Sequence, residues 1–187
     1  YWAKERGAGV VEGGNWLRAQ GFPIEGESHW RQSVDREVKA TRASVGVCDC
    51  TIWLADSEEQ HLVACYNSGD DADSVVGFEQ PVGSGIISMV FSQQQPYCEN
   101  DIQASDGHDD TLDKKMAKHT TALLAVPLYF AFGLRGVISC VQLAEVDSAE
   151  GKNGFNTADI ESLALVSNIV ERLVNETLMS TALGLSA

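Results

Sequence analysis

Apolar and polar residues follow two rhythms along this chain, and the switches between them mark its elements. From Ser28, the apolar positions Trp30, Val34, Val38 and Val45 recur four, four and seven residues apart with polar residues between. That spacing predicts one face of a helix, capped by Ser28 and ending near Val45 and Gly46. Residues 47–55 are rich in β-branched, aromatic and Cys residues, and 61–66 form a second such run. The polar turn Asp56-Ser57-Glu58-Glu59-Gln60 between them predicts a hairpin. A solvated loop over 67–73 leads to a short strand-like piece at Val75–Phe78 and then to Pro81-Val82-Gly83-Ser84-Gly85.

Helical spacing returns at Ile86, Ile87, Val90 and Phe91, with Gly85 near the helix start and Gln93-Gln94-Gln95-Pro96 at its end. Tyr97 and Cys98 open a small extended segment, and 99–113 is an acidic loop carrying Asp101, Asp106, Asp109, Asp110 and Asp113. A short helix over about Thr111–His119 precedes the strongest strand pair, Ala122–Phe130 and Gly136–Val146, expected as the central strands. From Phe155 the positions Ile160, Leu163, Val166, Ile169, Val170, Leu173 and Val174 form a wide apolar stripe that runs on through Leu178 without a Pro. This predicts a terminal helix of about 30 residues, long for a globular domain. Residues 1–27 carry six of the 17 glycines and little periodicity, and read as a loosely structured lead-in to a domain over 28–187.

Antiparallel strands flanked by helices indicate an α+β sandwich. One sheet face packs on the first and last helices; the other lies under the short helices and the acidic loop, where a pocket belongs. The stripe of the last helix is wider than one sheet face can cover. Its remainder, with Leu173, Leu178 and Met179, is therefore expected to pair with a second copy, giving a parallel homodimer through the terminal helices.

Composition narrows the function classes. A length of 187 residues with 44% hydrophobic and 21% charged residues is that of an ordinary globular chain with room for a core. Thirteen Lys and Arg against 27 Asp and Glu leave a net charge of −14, so the protein's own field opposes nucleic acid and anionic lipid. The longest mostly apolar stretch, 122–134, contains Pro127 and falls short of the about 20 residues that a spanning helix needs. Tyr1 in place of Met suggests a piece of a longer protein. Four of the five cysteines, Cys48, Cys50, Cys65 and Cys140, sit in apolar or β-branched runs, as expected of reduced, buried thiols in a cytoplasmic chain.

None of the candidate chemical motifs is complete. Gly83-x-Gly85 before a helix lacks both the third Gly of a dinucleotide fingerprint, where Ser88 stands, and the Lys of a P-loop, so these glycines read as a tight turn. Asp101 and Asp106-Gly107 resemble part of a calcium loop, but Ile102 and Ala104 occupy ligand positions. His108 and His119 beside Asp106 and Asp109 read as solvated residues rather than metal ligands. Cys48-x-Cys50 has the wrong spacing for a zinc ribbon and reads as core packing. No metal site and no catalytic set is expected, and a cofactor is not legible in these motifs.

Five segments in order carry a resemblance: Val82-Gly83-Ser84-Gly85-Ile86-Ile87, Tyr97-Cys98-Glu99-Asn100-Asp101, Leu124-Ala125-Val126-Pro127-Leu128, Gly136-Val137-Ile138 and Phe155-Asn156-Thr157-Ala158-Asp159. Together they resemble a GAF domain over about residues 28–180. The resemblance implies a GAF-like (profilin-like or PAS-like) sandwich with six antiparallel strands, a small-molecule cavity on the sheet under the loops, and a regulatory module fused to an output domain.

Within that family, methionine sulfoxide reductases use cysteines in the helix after the glycine turn and in the loop beyond it. Here Cys98 stands alone. Bilin-binding members attach pigment to a Cys beside a His, whereas His119 is flanked by Lys118 and Thr120. Cyclic-nucleotide binders carry Asn-Lys and then Phe-x3-Asp-Glu; here Lys152-Asn153 is transposed and Glu161 comes one place late. Cyclic nucleotide stays one candidate ligand, while Asn156 or Thr157 as a helix cap is the structural reading of the same segment. The expectation is a non-enzymatic sensor, with Trp53, Cys98, Asp101, His108, Met116, Val126 and Ser139 lining the ligand pocket. The alternative is a ligand-free dimerisation module.

Overall fold

In a computed structural model of the chain, the described residues are 27–44, 48–102, 111–116, 118–145 and 154–184. Of the lead-in expected over 1–27, residues 1–26 lie outside the described part, as do His108, Val45 and the side chain of Met116, while Glu27 already begins a helix. The elements are α1 (Glu27–Ser44), β1 (Asp49–Ala55), β2 (His61–Asn67), α2 (Ala72–Val75), β3 (Glu79–Pro81), α3 (Gly85–Gln93), β4 (Tyr97–Glu99), α4 (Thr111–Met116), β5 (Lys118–Phe130), β6 (Gly133–Glu145) and α5 (Thr157–Ala182).

The strands form one six-stranded sheet in the order β3-β2-β1-β6-β5-β4, and every pairing is antiparallel. The α+β sandwich expected from the pattern is the fold. The side-chain period of two then sorts each strand between two cores. Cys50, Ile52, Leu54, Leu124, Val126, Leu128, Ile138 and Cys140 face α1 and α5, where Val34, Val38, Leu163, Val166 and Val170 cover them. Trp53, Leu62, Ala64, Leu123, Ala125 and Val137 face the other way, against Val75, Ile86, Ile87, Val90 and Phe91.

Several boundaries differ from the sequence expectation. Residues 75–78 are not a strand: α2 ends at Val75, Gly77 turns the chain with a φ of 87°, and β3 begins only at Glu79. The pairing with β2 nevertheless begins early, because Gly77 donates to the Ala64 carbonyl and the Ala64 amide donates to the Phe78 carbonyl. The helix expected over 111–119 stops at Met116, and Lys118 and His119 already belong to β5, paired with Glu145 and Ala144. The sheet ladder satisfies their backbone groups, which a longer helix would have taken from it. The central strands are β1 and β6; β5 lies one place out, beside edge strand β4. Leu173 and Leu178, expected at a dimer seam, pack partly buried against the core under α5, while Leu165 and Met179 are the large apolar residues left exposed on it, with Leu183 just beyond its end.

The β5–β6 hairpin is tighter than the five-residue connection read from the sequence. Phe130 pairs with Gly133, which leaves Ala131 and Phe132 as the whole turn, at φ of 47° and 63°. A two-residue turn with both φ positive suits Asn-Gly, and L-residues with bulk pay for it in sterics. Phe132 gains nothing from burial, since it is fully exposed. Replacing the pair by Ala131→Asn with Phe132→Gly is expected to stabilise the fold by about 1 kcal/mol. Urea unfolding checks this; a midpoint at or below that of the parent chain would refute it.

The N-terminus of α5 is fixed by a reciprocal cap. Asn156 Oδ1 accepts from the Ala158 amide, and Asp159 Oδ2 accepts from the Asn156 amide, each at 2.8 Å. This is a capping box with Asp in the third helical position, and the buried Phe155 precedes it. The structural reading of Phe155-Asn156-Thr157-Ala158-Asp159 is therefore realised in the fold.

Candidate functional site

On the face away from α1 and α5, the sheet and the three short helices α2, α3 and α4 enclose a cavity of about 70 Å³. The strands supply alternate residues: Asp49, Thr51 and Trp53 from β1, Asn67 from β2, Gln80 from β3, Thr120 and Leu123 from β5, and Ser139, Val141 and Leu143 from β6. Val75, Ile86, Ile87, Leu112 and Asp113 close it from the helices, and Phe78 from the loop before β3. Most of this wall is apolar; the polar groups enter at defined points.

Trp53 and Ser139 form the floor. Thr51 pairs with Ser139 across β1 and β6, and the indole Nε1 of Trp53 donates to Ser139 Oγ over 2.9 Å. The Trp53 ring meets Phe78 edge-on, with centroids 6.4 Å apart and planes at 82°. Beside them, Asn67 Nδ2 donates to Thr51 Oγ1 at 2.9 Å, while Asn67 Oδ1 accepts from the Gly69 amide. On the opposite side Asp113 accepts from both the Thr120 amide and the Thr120 hydroxyl, each at 2.7 Å, which fastens α4 to the start of β5. An ion pair between Lys118 and Asp71 ties that same strand end to the residue before α2.

Gly136 brings β1 and β6 together beneath this floor. A Cβ on Gly136 would collide with the Trp53 carbonyl oxygen and lie 2.9 Å from the carbonyl carbon, so only glycine permits this approach.

Of the residues singled out from sequence, Trp53 and Ser139 are brought together in the cavity wall. Val126, Asp101 and Cys98 are not among its lining, and His108 and the side chain of Met116 lie outside the described residues. Val126 points to the opposite face, buried in the core under α1 and α5, because it is an odd number of residues from Leu123 on the same strand. Asp101 is exposed and its amide donates to Glu99 Oε1. Cys98 sits on β4 with Sγ 4.0 Å from the Phe155 carbonyl, on the α5 side of the sheet. Burial, then the carboxylates Glu99 and Asp159, push its thiol pKa upward. A protonated thiol is a poor nucleophile, so this environment does not prepare Cys98 for thiolate chemistry.

Sequence reading missed Asp49, Thr51, Asn67, Gln80, Asp113 and Thr120. A signal existed in β1: once Cys50, Ile52 and Leu54 form one face, Asp49, Thr51 and Trp53 must form the other, and that face carries polar groups in a strand buried on both sides. The bulge in β2 hid Asn67, since its register shift places Cys65 and Tyr66 successively on the helix face.

The cavity's border is also linked to α5. Asn100, directly after β4, accepts from the Phe155 amide at 2.7 Å and donates Nδ2 to the Phe155 carbonyl at 2.9 Å. Gln142, between the cavity residues Val141 and Leu143, makes the same two-way contact with Gly154, at 3.2 Å in each direction. Two side-chain amides thus grip consecutive peptide groups immediately ahead of the α5 cap. Gly154 has a φ of 69°, and a Cβ there would lie 2.7 Å from the Asn100 carboxamide.

Comparison with known proteins places this arrangement. A family model described as a GAF domain matches residues 34–175. The solved GAF domain of a phosphoenolpyruvate-protein phosphotransferase from Coxiella burnetii superposes with a TM-score of 0.67 at 15% identity, covering 96% of this chain and 99% of that one. The free methionine-R-sulfoxide reductase of Neisseria meningitidis, solved with its substrate, superposes at 0.60 with 17% identity over 81% of each chain. At such identities the likeness is one of fold, and the fold is shared by signalling domains and reductases. A curated sequence, the sarcosine oxidase subunit alpha of Rhizobium meliloti strain 1021, is 49% identical over 51 residues, which is 27% of this chain and only 5% of that protein.

Proposed function

Because this chain belongs to the GAF domain family, we propose that it is a regulatory sensor: a small molecule occupies the cavity over the sheet and its presence is passed through α5 to an output domain of the same parent protein. The observation that carries the reading is the lined cavity itself, with the buried Trp53–Ser139 hydrogen bond in its wall. Apolar walls with a few fixed polar groups are the usual form of a small-ligand site. The route outward is the double amide grip. Gln142 stands between two lining residues and Asn100 at the end of β4, and both hold the peptide groups that lead into the α5 cap. A ligand that binds more tightly to one arrangement of these strands shifts α5 by that difference in affinity.

The reading is non-enzymatic: Cys98 lies outside the cavity lining, and burial holds its thiol pKa up. In the working protein two copies pair along the terminal helices. The exposed residues Leu165, Asn168, Arg172 and Met179 recur three, four and seven apart on one side of α5, the spacing of a helix seam. The setting is cytoplasmic, and no described helix is long and apolar enough to cross a membrane.

Native mass spectrometry of the freshly purified chain tests the core of this. The expected result is a dimer with a reproducible extra mass per protomer that disappears on denaturation. A clean dimer without added mass would favour a dimerisation module, and a monomer at micromolar concentration would remove the seam. For the coupling, Asn100→Ala is expected to leave the retained mass unchanged while amides at the start of α5 exchange with deuterium at least tenfold faster, as loss of about two hydrogen bonds implies. Unchanged exchange at 155–160 would show that Asn100 does not hold the helix start.

A further inference from the structure

On the sheet face under α1 and α5, away from the cavity, we infer a modification site. Cys50 and Cys140 close a reversible disulfide across the two central strands when the protein meets a hydroperoxide, and that crosslink moves the cavity floor. Register comes first. Cys50 on β1 stands directly opposite Cys140 on β6, and both side chains belong to the same core. The Cys50 amide donates to Ser68 Oγ, and the Cys50 carbonyl accepts from the Ser68 amide, each at 2.9 Å. Both backbone groups of Cys50 are thus turned toward the β2 side of β1, so its pairing with Cys140 on the other side is of the non-hydrogen-bonded kind.

In such a pair the Cα atoms stand about 4.5 Å apart, at the short end of the about 4.4–6.8 Å that a disulfide spans. The two sulfurs can join without a change of register, and a bond at the short end of that range is strained and readily reduced again. The Cys140 thiol is already hydrogen-bonded with the thiols of Cys48 and Cys50. The remaining cysteines are not opposed in this way: Cys98 faces Leu124, Cys48 is diagonal to Cys140, and Cys65 lies at the bulge of β2.

At rest the pair is reduced, since Cys50 and Cys140 are in no disulfide and each is 2% exposed. The hydrogen bond with Cys48 works to lower the Cys140 pKa, but the hydrogen bond with Cys50 and burial hold it well above the ordinary thiol value. A protonated thiol in a closed core is a poor nucleophile, so oxidation waits for the helix layer to open locally. The chemistry then balances. One sulfur attacks a peroxide oxygen, forming an S–O bond and breaking the O–O bond, and its proton leaves with the departing oxygen. The second sulfur attacks the resulting sulfenic sulfur, forming the S–S bond, and hydroxide departs with the second thiol proton as water. Two thiols have lost two electrons and two protons, and hydrogen peroxide has become two waters.

The crosslink lies next to the cavity floor. Thr51 and Ser139, the neighbours of Cys50 and Cys140, form the adjacent pair of the same ladder and point into the cavity, where Ser139 Oγ accepts from the Trp53 indole. Drawing Cys50 and Cys140 together therefore acts on the peptide groups that carry Thr51 and Ser139.

The test uses the 187-residue chain with Cys98→Ser, which removes the more exposed thiol. The reduced protein is incubated overnight with hydrogen peroxide, unfolded in N-ethylmaleimide and mapped by mass spectrometry. The expected result is a loss of two hydrogens, a Cys50–Cys140 crosslink, and alkylation at Cys48 and Cys65, all reversed by dithiothreitol. Adding Cys50→Ser is expected to abolish the crosslink and adding Cys48→Ser to keep it; should the first fail to fold, the second decides alone. In the oxidised protein the Trp53 Nε1–H signal is expected to shift in NMR and to return on reduction.

Full alkylation of Cys50 and Cys140 overturns the inference. So does a bond from Cys48 to Cys140, a crosslink between two chains, or oxidation to sulfinic acid without a crosslink. An unmoved indole signal in the crosslinked protein overturns the coupling to the floor. None of these outcomes depends on a ligand in the cavity, whose presence native mass judges separately.

Discussion

Gly136→Ala is expected to destabilise this domain by about 3 kcal/mol or more, and to lose the floor of the cavity with it. The reason is backbone rather than side chain. Gly136 pairs with Leu54 on β1 and with Leu128 on β5, in the two strand contacts that flank β6. A methyl group there would occupy the space of the Trp53 carbonyl and come within 3.1 Å of the Leu54 Cα. No rotamer relieves such a clash; β1 must move away from β6, and Trp53 moves with it. The Trp53–Ser139 bond spans the same two strands, so the loss of stability and the loss of the indole hydrogen bond are expected together. Gly133→Ala is the control: its Cβ would meet only the guanidinium of Arg135, at 3.8 Å or more, and a change under about 1 kcal/mol is expected. Urea unfolding of the two variants, with Trp53 Nε1–H followed by NMR, decides the matter. Equal midpoints for both would show that the close approach constrains nothing.

Leu163→Ala carries the second large effect, a loss of about 3 kcal/mol. Leu163 has no accessible surface, and it belongs to the core between α5 and the sheet that includes Val126, Ile138 and Cys140. Removing its isobutyl group deletes transfer free energy and leaves a hole that the helix cannot close by moving. The helix is pinned along β5 by Ser167, whose hydroxyl donates to the Pro127 carbonyl, and by Asn175, which accepts from the Ala131 amide. The exposed Leu165, two residues on, is the matched comparison. Leu165→Ala is expected to change unfolding by about 0.5 kcal/mol or less while shifting any dimer equilibrium toward monomer. If Leu163→Ala unfolds at the parent midpoint, α5 is not an integral layer of the core, and it becomes a poor carrier of a signal from the sheet.

The double grip by Asn100 and Gln142 explains why α5 needs both kinds of attachment. Its length is held by buried apolar residues, which fix position but not the entry of the chain. Its start is held by amide side chains bonded to Gly154 and Phe155, and these are sensitive to where β4 and β6 stand. The reciprocal cap of Asn156 and Asp159 then ties the first turn to that entry. Gln142, between the lining residues Val141 and Leu143, thus joins this part of β6 directly to Gly154, two residues ahead of the α5 cap.

What the sequence determined by itself is whatever depends on local period and composition. The 3.6-residue spacing of Val34 and Val38, and of Leu163, Val166 and Val170, specifies helices with one buried side; the alternation in 49–55 and 122–130 specifies strands; and the chain's acidity sets its field. The segments around Gly83, Pro127, Gly136 and Asp159 sufficed to point to the family. The tertiary structure alone decided the site. Which face of β5 Val126 occupies, that Cys98 belongs to the α5 side, and that Asp49, Asn67 and Gln80 converge over 31 residues of chain follow from register, a bulge in β2 and the order of strands. Those depend on contacts between residues distant in sequence, whose free energy no local window contains. The same holds for Gly136, whose need for a missing Cβ exists only because Trp53 is opposite.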